Sequence, residues 1–268
     1  MRFKGIDSAS PVSAAAAKKL AELGYSFCGR YLAPSGWKVL TADEAMNIHD
    51  AGLSILLVWE TTADRAKSGS AGGAQDGAMA AGKAAALGVP AGTVIYYAVD
   101  YDAGQGDYDA IEAYLTAAGA ASAPYAVGVY GSYRVVEEMR RRGACTAFWQ
   151  CCAWSYGKLS EHADAYQAEW SGTANAKALA ARVGFDVDLD EAGSLDTFWG
   201  PEKAEEPATH WYDECMAWAA AEGLINDGRP NDNITRAEVA MILWRLCHGK
   251  EQQYDPELTR PSGLLSDD

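Results

Sequence analysis

The sequence lacks paired C-x-x-C spacings, clustered histidines and long apolar runs, and it carries little positive charge. Each absence removes a class of function. Six cysteines (Cys28, Cys145, Cys151, Cys152, Cys215 and Cys247) are scattered over 268 residues, which fits neither a disulfide framework nor a metal motif. They read as reduced thiols. The four histidines, His49, His162, His210 and His248, stand apart, so a zinc cluster or a His-paired nucleophile has no visible support. No metal and no cofactor are expected. No apolar run reaches the roughly 18 residues of a membrane span, so no membrane partner is expected. The start, Met1 to Asp7, lacks the basic, apolar and small-residue regions of a secretory signal, which predicts a protein that is cytoplasmic on synthesis. A formal charge of −15 would repel a nucleic-acid backbone or an anionic lipid surface. Gly72-Gly73 and Gly104-Gln105-Gly106 match no phosphate-binding pattern and read as loops.

What is present is an apolar content of 49% with 22% charge, and an alternation of short β-branched or aromatic runs with Ala-rich helical stretches. That alternation implies βα units around a parallel sheet. Eight strands are predicted, at 3–7, 27–32, 54–60, 94–100, 126–132, 147–152, 165–170 and 185–190. Helices over 11–23, 41–51, 73–87, 108–118 and 133–142 have Ser/Thr/Asp or Pro starts and Gly stops. Eight strands in about 200 residues fit a (β/α)8 TIM-type barrel, an α/β fold over residues 1–200. Residues 201–209 read as a Pro-bounded charged linker. A small α-helical domain follows at 210–250, with Trp211, Cys215, Trp218 and Ala219 at helical spacing and Val239, Ile242, Leu243 and Leu246 facing one side. Residues 251–268 read as a flexible tail. The region from 201 onward holds six Lys/Arg against fourteen Asp/Glu, and is much the more acidic part.

Side chains at the C-terminal ends of barrel strands converge on the mouth, where a carboxylate is a site candidate. Strand one ends in Asp7, strand three in Glu60, strand four in Asp100-Tyr101-Asp102 and strand eight in Asp188-Leu189-Asp190. In an extended strand Asp100 and Asp102 share a face, with carboxyls about 6–7 Å apart, a workable glycosidase spacing. Carboxylates crowded in a cleft cannot all ionise cheaply, so one stays protonated as an acid while a neighbour acts as base or nucleophile. Tyr97, Tyr101, Tyr130 and Trp149 are candidates to stack on sugars, and Gln150 to bind a hydroxyl or acetamido group. Arg30 is read at the same mouth, neutralising its acids. A lone strand-end Asp also serves as a helix cap, a reading that suits Asp102 and Asp190, and Glu60 also suits a surface ion pair. Arg140-Arg141-Arg142 reads as a solvated helix end.

Phe3-Lys4-Gly5-Ile6-Asp7, Gly29-Arg30-Tyr31-Leu32, Leu87-Gly88-Val89-Pro90, Ile95 through Asp102, Val127 through Gly131, Trp149-Gln150 and Val187-Asp188-Leu189-Asp190 together resemble the glycoside-hydrolase-like barrel family. That family occurs in phage endolysins and secreted actinobacterial proteins and is similar to family 25 lysozymes. The resemblance implies that Asp7, Asp100 and Asp102 are catalytic, with Asp100 stabilising or attacking the anomeric centre and Asp102 as the acid. Asp102 stands where the muramidases have Glu. Arg30, Glu60, Tyr101, Tyr130, Trp149, Gln150 and Asp188 would bind substrate. Residues 211–246 are similar to one S-layer homology repeat, which implies wall binding through Trp211, Thr235, Arg236 and Glu238. A single copy is either a remnant or a unit that assembles between chains into a homo-oligomer. The reading that results is a phage-type endolysin, released by a holin, that hydrolyses the β-1,4 glycan of bacterial peptidoglycan and also holds secondary wall polysaccharide. Its alternative is a carbohydrate-binding protein that keeps the cleft without the chemistry.

Overall fold

The computed structural model describes residues 3–201 together with Val239, Ala240, Ile242 and Leu243. The chain divides between Lys203 and Ala204, and the elements below all belong to the first unit. The expected linker past Pro201, the C-terminal domain apart from those four helical residues, and the tail lie outside the described residues. So do Trp211, Thr235, Arg236 and Glu238.

The first unit runs β1 (Phe3–Asp7), α1 (Ala14–Glu22), β2 (Tyr25–Leu32), α2 (Ala42–Asp50), β3 (Ser54–Trp59), a 3-10 turn (Arg65–Ser68) leading into α3 (Gly69–Ala86), β4 (Val94–Ala98), α4 (Tyr108–Ala121), β5 (Ala126–Gly131), α5 (Tyr133–Arg142), β6 (Ala147–Cys151), β7 (Ala165–Glu169), α6 (Ala174–Val183) and β8 (Asp188–Ala192). The eight strands close into a barrel in sequence order. Sequence signals set the helix ends. Thr41, Ser132 and Thr173 each accept a hydrogen bond from a backbone N–H of the first turn, and α5 and α6 stop at left-handed Gly143 and Gly184. None of the described helices is long and apolar enough to cross a membrane.

One strand departs from the expected parallel sheet. β1 to β7 are parallel to their neighbours, but β8 is antiparallel to both β7 and β1. The connection through α6 leaves β7 at the mouth and returns to the mouth, where Asp188 pairs with Asp7. From sequence, a helix between two strands reads as a crossover to the far end; here it makes none. Two consequences follow. Asp188 opens β8 at the mouth while Asp190 lies one layer deeper. The chain also leaves β8 at the opposite end, where it forms a floor. There Ile55 and Trp199 exchange backbone hydrogen bonds at 2.8 and 2.9 Å, Val94 N–H donates to Thr197 O at 3.0 Å, and the Phe198 ring lies 5.0 Å from that of Phe27.

Strand alternation sorts the side chains into two cores. Phe27, Leu56, Val58, Tyr96, Ala98, Tyr130 and Trp149 fill the barrel. Ile6, Cys28, Leu32, Ile55, Leu57, Tyr97, Val129 and Phe148 face the helices. Close packing inside the barrel requires glycine at two places. A Cβ on Gly5 would sit 2.2 Å from the Phe27 ring, and one on Gly29 would sit 2.6 Å from Asp7 Cβ. The absence of a side chain at Gly29 is what lets Asp7 turn inward at the mouth.

Candidate active site

The barrel mouth opens into a cavity of about 420 Å³, counting its solvent-facing space, lined by Asp7, Tyr31, Val58, Glu60, Ala98, Asp100, Tyr130, Trp149, Gln167 and Asp188. Each lining residue stands on the inward phase of its strand or just past the strand's end. Phase therefore decides which of two neighbouring residues reaches the cavity.

A hydrogen-bonded chain ties the acids together. The Gln167 amide donates to Asp7 Oδ2 at 2.7 Å and to Asp188 Oδ2 at 2.9 Å, while its Oε1 accepts from the Tyr130 hydroxyl at 2.9 Å. Asp188 Oδ1 accepts from Ser171 N–H at 2.6 Å. On the opposite wall Lys38 Nζ lies 3.0 Å from Glu60 Oε2 and 4.4 Å from the centre of the Tyr31 ring. Beneath Asp7 and Asp188, Asp190 Oδ1 accepts from Trp149 Nε1 at 2.9 Å.

Burial makes the charged form of these carboxyls expensive, and their neighbours add repulsion. Desolvation, then the Asp188 charge, pushes Asp7 from 3.8 up to about 7, against the donors Gln167 and Asp190. Desolvation and the Glu60 charge also raise Asp100, with Lys38 opposing. Desolvation raises Asp188, opposed by hydrogen bonds from Ser171. At neutral pH the Asp7 carboxyl therefore stands close to its titration midpoint, among other carboxyls whose charged forms are also disfavoured. That is the condition for general acid–base chemistry. Among the described residues no group of three or more His, Cys, Asp or Glu is arranged to hold a metal ion.

The structure brings together Asp7, Glu60, Asp100, Tyr130, Trp149 and Asp188 from the sequence candidates, and places Tyr97, Tyr101, Asp102, Arg30 and Gln150 elsewhere, Tyr97 being buried among the side chains that face the helices. Asp102 is exposed and its Oδ2 accepts from the Tyr156 hydroxyl at 3.1 Å. The period-two argument joining it to Asp100 ends with the strand, since β4 stops at Ala98. Arg30 is fully buried on the outward face of β2. There its guanidinium bonds Glu44 Oε1 at 2.5 Å, Glu44 Oε2 at 3.3 Å, Lys38 O at 3.2 Å and Ser8 O. Gln150, outward on β6, donates to Lys158 O at 2.7 Å and accepts from Ser160 N–H at 2.8 Å, which fixes the loop after its strand. Tyr101 packs on the outer core, with Lys67 Nζ 4.3 Å from its ring centre.

Sequence reasoning missed Gln167 and Lys38, and passed over Tyr31 for its neighbour Arg30. Strand phase was the signal within reach: Tyr31 follows Phe27 and Gly29 at two-residue steps, and Gln167 follows Ala165. Asp190, a strand-end acid that from sequence also suits a cap, is 3% exposed and points into the barrel.

Residues 18–192 match the family described as Rv2525c-like, glycoside hydrolase-like domain. No curated protein matches the sequence. Among solved structures, the Mycobacterium tuberculosis Tat-secreted protein Rv2525c in complex with L-tartrate superposes with a TM-score of 0.63 at 20% identity, covering 74% of this chain and 99% of that one. An uncharacterized B. stearothermophilus protein gives a TM-score of 0.53 at 20% identity over 74% of this chain and 100% of the other. At such identities these two share the barrel fold. With its family matched across most of the barrel, from α1 through β8, the chain belongs to the Rv2525c-like, glycoside hydrolase-like domain family.

Proposed function

We propose that the barrel is a glycoside hydrolase acting on the β-1,4 glycan of bacterial peptidoglycan, with Asp7 as general acid and Asp100 as its ionised partner. The observation that carries this reading is the presence, in one cavity, of a buried carboxyl pushed up to about 7 and a second, less buried carboxyl. Glycosidic cleavage needs a proton for the leaving oxygen and a carboxylate at the anomeric centre. Asp7, with its midpoint near 7, keeps a substantial protonated fraction at neutral pH and suits the first task. Asp100, past the end of β4 and lining the same cavity, suits the second. Gln167, also bonded to Asp188, holds Asp7 in place, and Tyr31, Tyr130 and Trp149 give the cavity an aromatic lining. The similarity of Phe3–Asp7, Ile95–Asp102 and Val187–Asp190 to family 25 lysozymes supports peptidoglycan as the substrate. An endolysin made in the cytoplasm, released through a holin, and held on wall polysaccharide or in a homo-oligomer by residues 210–250, extends the same proposal.

The exposure of Asp102 favours a second reading, a wall-carbohydrate-binding protein without turnover, because the position the lysozymes fill with an acid is outside this cavity. Borohydride labelling of digested, purified peptidoglycan separates the two. New reducing ends on N-acetylmuramic acid support the hydrolase. Sedimentation with the wall and no new ends supports the binding protein.

A further inference from the structure

We infer that Asp190 is a positioning residue that keeps its proton at neutral pH and donates it as a hydrogen bond to Asp7, fixing the Asp7 carboxyl from beneath the cavity. The inference rests on the reading of Asp7 as the acid, and it concerns a residue that does not line the cavity.

The geometry begins with the reversal of β8. In the β1–β8 ladder Asp7 pairs with Asp188, and Gly5 pairs with Asp190. On the other side Asp190 pairs with Gln167 of β7. Asp190 thus points inward one layer below Asp7, opposite Gly5. It is 3% exposed. Its Oδ1 accepts from Trp149 Nε1 at 2.9 Å. Its Oδ2 has no N–H or O–H donor within reach, and this carboxyl lies in hydrogen-bonding range of the Asp7 carboxyl. Two carboxylate oxygens in contact repel each other, and burying an unpaired carboxylate costs several kcal/mol at least. A proton between them turns the contact into a hydrogen bond and satisfies the orphaned oxygen.

The surroundings decide which carboxyl holds that proton. The titratable groups around the pair are Asp188 on the same strand, Tyr31 and Cys28 on β2, Glu60 past β3, Asp100 past β4, Tyr130 on β5 and Cys151 on β6. None of them supplies a positive charge. Lys38 sits at the mouth against Glu60, and Arg30 is engaged with Glu44 on the outward face. Asp7 has the Gln167 amide to stabilise its charge, whereas Asp190 has one indole N–H. Burial and the Asp7 charge accordingly drive Asp190 well above the usual carboxylate range. The proton stays on Asp190, and Asp7 titrates above it with a fixed donor underneath.

The test follows the aspartate carboxyl ¹³C resonances of the full chain through a pH titration, comparing wild type with Asp190→Asn and Asp190→Leu. In the wild type the Asp190 resonance is expected to stay constant from about pH 4 to about pH 8 while Asp7 titrates. Asparagine can accept from Trp149 and donate to Asp7, so Asp190→Asn should leave the Asp7 midpoint within about half a unit. Asp190→Leu removes the donor and should raise that midpoint by about one unit. Titration of wild-type Asp190 below neutral pH would overturn the inference. So would a fall of about one unit or more in the Asp7 midpoint of Asp190→Asn, which would mean that a charge had been removed. The wild-type result stands without either variant, and no substrate is involved. Failure of the glycosidase reading would instead appear as absent glycan cleavage with these titrations unchanged.

Discussion

Asp102 turns to the surface, where its Oδ2 accepts a hydrogen bond from the Tyr156 hydroxyl at 3.1 Å, while Asp100, two residues earlier, lines the barrel cavity. A carboxyl outside the cavity cannot deliver a proton to a sugar bound within it, because transfer needs heavy atoms within about 3 Å. Asp102→Asn is therefore expected to keep glycan cleavage within about threefold of wild type, and Asp100→Asn to lose at least about 100-fold. Rates of reducing-end release measure both. A loss in Asp102→Asn as deep as that in Asp100→Asn would show that substrate draws Asp102 into the site.

Among the described residues, Gln167 is the one neutral side chain that donates to both Asp7 and Asp188. Replacing it with Leu removes a hydrogen bond that favours the Asp7 carboxylate, so the Asp7 midpoint should rise. The alkaline limb of kcat/KM should then move to higher pH, with kcat lower by about 10- to 100-fold as the acid loses its orientation. A full pH–rate profile checks both effects. An unmoved alkaline limb would exclude Asp7 as the group that sets it.

Stability should carry the same signature. The folded-state midpoint of Asp7, about 7, lies above its ordinary value of 3.8, so the fold favours the protonated form. Asp7 then costs nothing below about pH 4, and its cost grows as pH rises toward about 7. Wild type should lose stability across that window. Asp7→Asn, which stays neutral, should match wild type near pH 4 and melt several degrees higher near pH 8, at about 2–4 °C per kcal/mol for a domain of this size. Thermal melts at both pH values decide it, and equal Tm values at pH 8 would contradict the shift.

Arg30 and Glu44 form a buried ion pair that joins β2 to α2, and Glu44 Oε1 also accepts from Val12 N–H at 2.7 Å. Arg30→Met leaves Glu44 charged and buried, at a cost of about 3–5 kcal/mol. Chemical denaturation should show that loss. The folded fraction should keep its specific activity within about threefold, since Arg30 lies outside the cavity. A large fall in kcat without a loss of stability would return Arg30 to the substrate site.

The barrel was legible because its strands and helices differ in composition and period. β1, β2, β3, β4, β5, β6 and β7 all fall within one or two residues of their expected bounds. The direction of β8 was not, because a strand–helix–strand stretch looks the same whether its helix crosses the barrel or returns to the same end. That reversal also explains why Asp190 suits a cap from sequence when it is a buried side chain. Within the site, Asp7, Asp100 and Asp188 sit at strand ends that any parallel barrel sends to its mouth. Arg30 and Gln150 were placed at the mouth beside Tyr31 and Trp149, yet successive residues of a strand face opposite sides, and only one of each pair reaches the cavity. Asp102 was carried along by extending β4 past Ala98. Gln167 has no motif, and its role comes from the distance between two carboxylates on other strands.

The most direct test of the central claim is reducing-end release from purified peptidoglycan by wild type, Asp7→Asn and Asp100→Asn, each confirmed to be folded and to sediment with the wall. The account predicts new reducing ends with wild type and a loss of at least about 100-fold in each variant with wall binding retained. Wild type that binds the wall and releases no ends, or variants that cleave as fast as wild type, would contradict it.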